Sequence, residues 1–206
     1  MLHGPKCKRC RREALKLYLK GARCYTSKCP IETGRPVPGM HGARRKKVTD
    51  YGTQLREKQK LRRYYGLAEG QFRLFFARAA KQRGITGELL LQFLELRLDN
   101  LVYRMGFAPS RRAARQFVLH NHVMVDGHKA NIPSMVLKEG TVIGVRSKEN
   151  SRSRVAESLE AAESRQLSPW LSLDKEKLEG TVVRIPSRDE ISPLVNEQLV
   201  VELYSK

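Results

Sequence analysis

No stretch of this 206-residue chain approaches the roughly 20 consecutive apolar residues that a spanning helix needs, and the N-terminus lacks the apolar core of a secretory signal. A cytosolic protein without a membrane partner is therefore expected. Acidic residues are scarce: 21 Asp and Glu stand against 40 Lys and Arg, a formal charge of +19. An excess of that size repels itself in a compact chain unless a polyanion is near. With no membrane-seeking segment, that polyanion is expected to be nucleic acid. Cysteine is rare and confined to the first 29 residues, and tryptophan occurs once, at Trp170.

The charge is unevenly placed. Residues 1–50 hold fourteen Lys and Arg against Glu13, Glu32 and Asp50. Gly34, Pro36, Pro38, Gly39 and Gly42 interrupt any helix and lead into Arg44-Arg45-Lys46-Lys47, an extended basic segment suited to threading between RNA helices. A flexible basic tail is the plain alternative. The four cysteines form a C-x2-C pair, Cys7 and Cys10, and after thirteen residues a C-x4-C pair, Cys24 and Cys29. Each close pair can bite one tetrahedral ion, and the short loop lets both converge on it. One structural Zn2+ on these four thiolates is the expectation. Lys6, Lys8, Arg9, Arg11 and Arg12 would offset the remaining negative charge. Two disulfides are the competing arrangement, disfavoured in a cytosolic chain.

Spacing predicts helices through the middle of the chain. Asp50–Tyr65 reads as amphipathic, with Leu55, Leu61, Tyr64 and Tyr65 inward and a basic outer face over a stretch that includes Arg56, Glu57, Lys58, Lys60, Arg62 and Arg63. Phe72, Phe75, Phe76, Ala79 and Ala80 recur at helical spacing as a core stripe, with Arg73, Arg78 and Lys81 off it. Thr86 can cap a third helix that uses Leu90, Phe93, Leu94, Leu98 and Leu101. Ser110 can cap another, whose first turns carry Arg111, Arg112 and Arg115, so that backbone N–H groups and guanidinium groups face a phosphate together. His120 and His122 follow on its exit. Val123–Val125 reads as a strand, Asp126-Gly127 as a tight turn and Thr141–Val145 as a second strand. Ser147–Ser168 reads as an exposed bridging helix. Trp170, Leu171 and Leu173 are expected to anchor the C-terminal tail on a core, with Thr181–Pro186 and Leu199–Tyr204 as short strands.

The stretch from residue 97 to residue 140 resembles the RNA-binding module named after small-subunit ribosomal protein four. The matching positions are Arg97, Leu98, Asp99, Asn100, Tyr103, Arg104, Gly106, Phe107, Ser110, Arg111, Ala114, Arg115, Gln116, His120, His122, Val125, Gly127, Ile132, Pro133, Ser134 and Gly140. The chain departs from the usual pattern at Asn121, where Gly is common, and at Thr141, where Asp is common; Asn tolerates the left-handed backbone such a turn needs. Further blocks resemble the bacterial-type ribosomal protein four family: Cys7–Arg12, Cys24-Tyr25 to Cys29, Pro38–Gly42, Leu55–Lys60, Arg63–Gly66, Trp170-Leu171, Leu178–Gly180, Arg184, Pro186, Arg188 and Glu197–Ser205. Some members of that family carry the cysteine knuckle and others have lost it.

The resemblance implies an α+β protein: a basic N-terminal segment with a zinc knuckle over residues 1–48, a mainly helical body over 49–94, an inserted RNA-binding module with a short antiparallel sheet over 95–158, and a C-terminal segment over 159–206 packing back on the body. It implies a structural constituent of the small ribosomal subunit that binds 16S rRNA in its five-prime domain. Such a protein nucleates assembly of the subunit body, contributes to translational accuracy, and touches ribosomal protein five and mRNA near the path by which it enters. Residues expected on RNA are Lys8, Arg9, Arg11, Arg12, Arg35, His41, Arg44, Arg45, Lys46, Lys47, Lys58, Lys60, Arg62, Arg63, Arg73, Arg97, Asn100, Arg104, Ser110, Arg111, Arg112, Arg115, Gln116, His120, His122, Lys129 and Asn131. A side chain cannot read the deep groove of an RNA duplex, so recognition of folded shape through phosphates is the expected mechanism. The same module also occurs on stand-alone RNA-binding stress factors, on pseudouridine synthases and on tyrosyl-tRNA synthetases. Arg97-Leu98-Asp99 even resembles the catalytic triplet of the synthases, but it lacks their flanking Gly and Thr-Ser-Gly context.

Overall fold

The computed structural model describes residues 4–42, 47, 49–162, 166–191 and 195–205. In chain order its elements are α1 (Lys6–Glu13), a 3-10 turn (Gly21–Tyr25), α2 (Asp50–Tyr64), α3 (Glu69–Lys81), α4 (Thr86–Glu95), α5 (Leu98–Arg104) and α6 (Arg111–Leu119). There follow β1 (Val123–Val125), β2 (His128–Ala130), β3 (Val142–Val145), α7 (Glu149–Glu160), β4 (Leu171–Asp174), β5 (Glu179–Val182), a second 3-10 turn (Arg188–Glu190) and α8 (Glu197–Tyr204). Among the described residues no helix is long and apolar enough to cross a membrane. The chain forms two compact units, Met1–Leu90 with Pro193–Lys206, and Leu91–Ser192.

In the first unit the Thr49 hydroxyl caps α2 by accepting the Gly52 N–H at 3.1 Å. The stripe predicted for α3 is buried at Phe72, Phe75 and Ala79, while Ala80 is exposed. Residues 199–204, expected as a strand, are helical. The Asn196 side chain accepts the Gln198 N–H at 3.0 Å and starts α8. Val200 is buried, Glu202 accepts from Gln54 of α2 at 2.9 Å, and the Tyr204 ring stacks on Phe76 at 4.6 Å. Gly87 lets α4 and α8 approach, since a Cβ there would sit 2.8 Å from Glu197 Cγ. Tertiary packing thus overrides the strand preference of paired valines.

The second unit holds a five-stranded antiparallel sheet in the order β2-β1-β3-β5-β4. Val125 pairs with His128 across the Asp126-Gly127 turn, where both residues have positive φ (48° and 77°), the condition for a two-residue hairpin. Strand β2 was not foreseen. Strands β4 and β5, expected in a tail that packs back on the helical body, instead extend this sheet, with Ile143 opposite Gly180 and Leu171 opposite Val182. Trp170 is 1% exposed and belongs to the same apolar cluster as Leu101, Tyr103, Phe117, Val123 and Ile143.

Two helices expected as single or exposed elements differ. The predicted helix through Leu101 breaks at Leu96-Arg97. Arg97 is extended (φ −67°, ψ 138°) and bridges Val136, while the Leu98 N–H donates to Met135 at 2.8 Å. Helix α7 is not an exposed bridge: Ser151, Val155, Ser158 and Ala162 form a buried face, and Ser158 donates to the Gly106 carbonyl at 2.8 Å. That face is small and half polar, so its burial left little hydrophobic signal.

Candidate nucleic-acid interface

In the second unit, the stretch from Glu95 through α6 carries several of the residues expected on RNA, and the structure sorts these into two groups. The first is a buried network. Glu95 accepts from Asn100 Nδ2 at 2.6 Å and from Arg104 Nε and Nη2 at 3.0 and 2.6 Å. Asn100 Oδ1 in turn accepts Arg111 Nε at 2.7 Å, and the Arg111 guanidinium lies 4.6 Å from the centre of the Tyr103 ring. Arg97 makes a two-pronged pair with Asp99 at 3.1 and 2.9 Å, and Arg115 adds a third bond to Asp99 at 3.3 Å. Arg97, Asn100 and Arg111 are buried. Their placement on an RNA surface is therefore corrected: each makes hydrogen bonds inside the chain that tie α5 to its neighbours on either side.

The second group faces outward. The Ser110 hydroxyl accepts the Ala113 N–H at 3.3 Å, the expected cap, and α6 then presents Arg112, Gln116 and His120 to solvent, with the Arg115 side chain 41% exposed. Asn121 takes the left-handed backbone expected of it (φ 62°) and turns the chain to His122. Lys129 and Asn131 are exposed on and beside β2. The arrangement holds cations on a rigid helix whose other face is locked into the core, as a surface reading RNA by shape requires.

Arg146, Lys148, Arg152 and Arg154 were missed by the sequence reading. They flank and begin α7, and Lys148, Arg152 and Arg154 are exposed. The signal was present as Arg146-Ser147-Lys148 and Arg152-Ser153-Arg154, a cation at alternate positions inside a stretch read as a polar bridge. Burial and the charges of Arg154, His120, Lys148 and Arg146 hold the His122 ring below its ordinary pKa, so this side of the module is cationic.

In the first unit, Lys8, Arg9 and Arg12 line a shallow cavity of about 240 Å³ with Gly4, Pro5, Pro38 and Arg63. Arg11 donates to the Pro36 carbonyl at 2.8 Å, while Arg35, His41 and Lys47 are exposed. Arg44, Arg45 and Lys46 lie outside the described residues. Along α2 the expected basic outer face is only partly basic and partly outward. Lys58 is buried, donates to Glu69 at 2.8 Å and lies 5.6 Å from the Tyr204 ring centre, so its assignment to RNA is corrected. Lys60 pairs with Glu57, Arg62 with Glu69 at 3.3 Å, and Arg63 and Arg56 with Glu13. Burial raises the Glu13 carboxyl and lowers the Arg63 guanidinium despite their pairing, as desolvation of a buried pair does. Arg73, whose side chain is 69% exposed, remains outward.

Cys7 and Cys10 lie on α1, partly exposed, while Cys24 and Cys29 are buried, and none is in a disulfide. Among the described residues no three ligating side chains are gathered as a metal ion would hold them. The cysteines are nevertheless neighbours. Burial first, and then the charges of the other thiols, raise Cys10 and Cys24; backbone N–H groups of Leu17 and Lys20 oppose the rise, the latter bonding Cys24 Sγ at 3.3 Å.

Residues 1–95 match the ribosomal protein S4/S9 N-terminal domain, and residues 96–143 match the S4 domain. The chain is 56% identical over 203 residues to small ribosomal subunit protein uS4A of Symbiobacterium thermophilum, covering 98% of each chain. It is 51% identical to uS4 of Acidithiobacillus ferrooxidans over 98% of each, and 53% identical to uS4A of Myxococcus xanthus over 97% of this chain and 96% of that protein. Matched end to end at more than half identity, with the S4 module folded around its Arg97–Asn100 network, this chain belongs to the ribosomal protein S4 family of the small ribosomal subunit.

Proposed function

We propose that this protein is a structural component of the cytoplasmic small ribosomal subunit that binds 16S rRNA in its five-prime domain, nucleates assembly of the subunit body and contributes to decoding accuracy. The observation that carries this reading is the outward face of α6, where Arg112, Arg115, Gln116 and His120 stand on a helix fixed from behind by Arg111. Phosphate contacts from such a face supply affinity, and its rigidity selects a backbone shape. Contacts with ribosomal protein five and with incoming mRNA belong to the same proposal. The protein is read as a binder and not as an enzyme: Asp99, the residue that a synthase-type triplet would use, is buried and bonded by Arg97 and Arg115. The test is titration of the protein against five-prime-domain rRNA and an unrelated structured RNA over a range of salt. A preference for the rRNA that survives moderate salt supports the reading. Equal affinities that collapse together refute it.

Zinc is proposed as a structural accessory. The donor set fits a soft divalent ion: four nearby thiols, two of them supplied with backbone N–H groups. Bound zinc would relieve the mutual repulsion of the thiolates, and Cys7, Cys10, Cys24 and Cys29 would hold it, leaving no position for catalysis.

A further inference from the structure

His122 sits between α6 and β1 in a setting more specific than a solvated basic residue needs. Its ring stacks on Phe117 with centroids 4.7 Å apart, and its Nδ1 lies 2.8 Å from the Ser151 hydroxyl on α7. Ser151 is completely buried, so its hydroxyl hydrogen requires an acceptor, and His122 Nδ1 is the one it meets among the described residues. Where the Ser151 hydroxyl donates to Nδ1, the neutral ring carries its hydrogen on Nε2, a donor that persists when the ring is charged. On protonation Nδ1–H becomes the donor and the Ser151 hydroxyl oxygen the acceptor, so the contact orients the charged ring as well.

Cations on the neighbouring elements act on this ring: His120 on the exit of α6 at 6.3 Å between centroids, Arg146 following β3, Lys148 at the cap of α7, and Arg154 on α7 itself. Resting on the RNA-binding reading above, we propose that His122, oriented by Ser151, is an RNA-phosphate ligand at the centre of a second cationic patch formed with Arg146, Lys148 and Arg154, and that RNA binding there takes up a proton on the ring. The sign follows from the surroundings. In the unbound protein burial and neighbouring cations disfavour a charged ring, and an arriving phosphate reverses that repulsion. The ring's pKa rises on binding. The proton-linked part of the affinity is therefore full below the unbound value and is lost as pH rises through the bound one.

The experiment uses the full chain and five-prime-domain rRNA at constant salt. Affinity is measured between about pH 5.5 and 8.5, and proton uptake is read by calorimetry in buffers of different ionisation enthalpy. Affinity is expected to rise roughly 3- to 10-fold from pH 8 to pH 6, with net proton uptake. His122→Gln, which keeps an N–H donor but does not titrate, should flatten this dependence, whereas His120→Gln should leave most of it. Ser151→Ala should move the pH profile and remove the single-tautomer imidazole nitrogen signature in NMR. Arg154→Ala should lower the salt slope by about one. The same pH dependence in His122→Gln as in the unmodified protein overturns the proposal. If that variant does not fold, NMR titration of the unmodified protein decides: a His122 pKa unchanged by RNA overturns it. Loss of preference for this rRNA over an unrelated RNA strikes instead at the RNA-binding reading, so the two failures are distinguishable.

Discussion

Arg111 and Arg112 are neighbours in sequence with opposite structural fates, and replacing each with alanine separates a core role from an RNA role. Arg111 donates to Asn100 at 2.7 Å, lies 4.6 Å from the centre of the Tyr103 ring and is 8% exposed. A hydrogen bond from a charged donor contributes about 1.5–3 kcal/mol and a desolvated cation–π contact about 2, and these are not fully additive. Arg111→Ala also leaves Asn100 Oδ1 without this donor, so a loss of about 3 kcal/mol is expected. The lone tryptophan reports it directly, because Trp170 is buried in the same apolar cluster as Tyr103. For a urea m-value of about 2 kcal/mol/M, the midpoint followed by Trp170 emission should fall by roughly 1.5 M. Arg112 is exposed, so Arg112→Ala should change stability by less than about 0.5 kcal/mol, a midpoint shift under about 0.25 M, and reduce the salt slope of rRNA binding by about one. An Arg111→Ala protein with an unshifted midpoint, or with a salt slope reduced as much as that of Arg112→Ala, refutes the assignment.

Gly180 faces Met105, and a Cβ there would stand 2.5 Å from its sulfur; with Met105 1% exposed, Gly180→Ala should cost about 1–3 kcal/mol, and an unchanged melting temperature would show that the methionine repacks freely. Burial pushes the Glu69 carboxyl up, but bonds from Lys58 and Tyr204 and the charges of Lys58 and Arg62 more than reverse this, holding it below its ordinary 4.5. A depressed carboxyl contributes stability above its unfolded pKa and loses it as pH falls through the folded value, so docking of α8 should weaken below about pH 4.5. Amide protection in α8 that is equally pH-dependent in Glu69→Gln would refute that. Cys10→Ser should lower the zinc content of metal-loaded protein and loosen the N-terminal segment while the S4 module stays folded. Full zinc retention in that variant would sink the four-cysteine assignment.

Much of the candidate interface was legible in the sequence because its signals are local. Ser110 caps α6 through a bond three residues away, Asp126-Gly127 turns a hairpin through its own backbone, and Asn121 accepts a left-handed conformation without distant help. Net charge named the class of partner for a similarly simple reason: like charges repel whatever the fold. Which cations face solvent was decided only by tertiary structure. Arg97 and Arg111 carry the same charge as Arg112, but Asp99 and Asn100 draw the first two inward, and no pattern of spacing announces that choice. The same limit explains α7 and the last helix. A buried face of Ser151, Val155 and Ser158 has little hydrophobic contrast, and Val200-Val201 prefers a strand until α2 and α3 supply a surface that a helix fits. Sequence alone determined the local turns and caps, the charge and the apolar stripes, because these depend on neighbours along the chain. Tertiary structure decided which polar groups are buried and which meet solvent, because a charge leaves water only where partners from elsewhere in the chain converge on it.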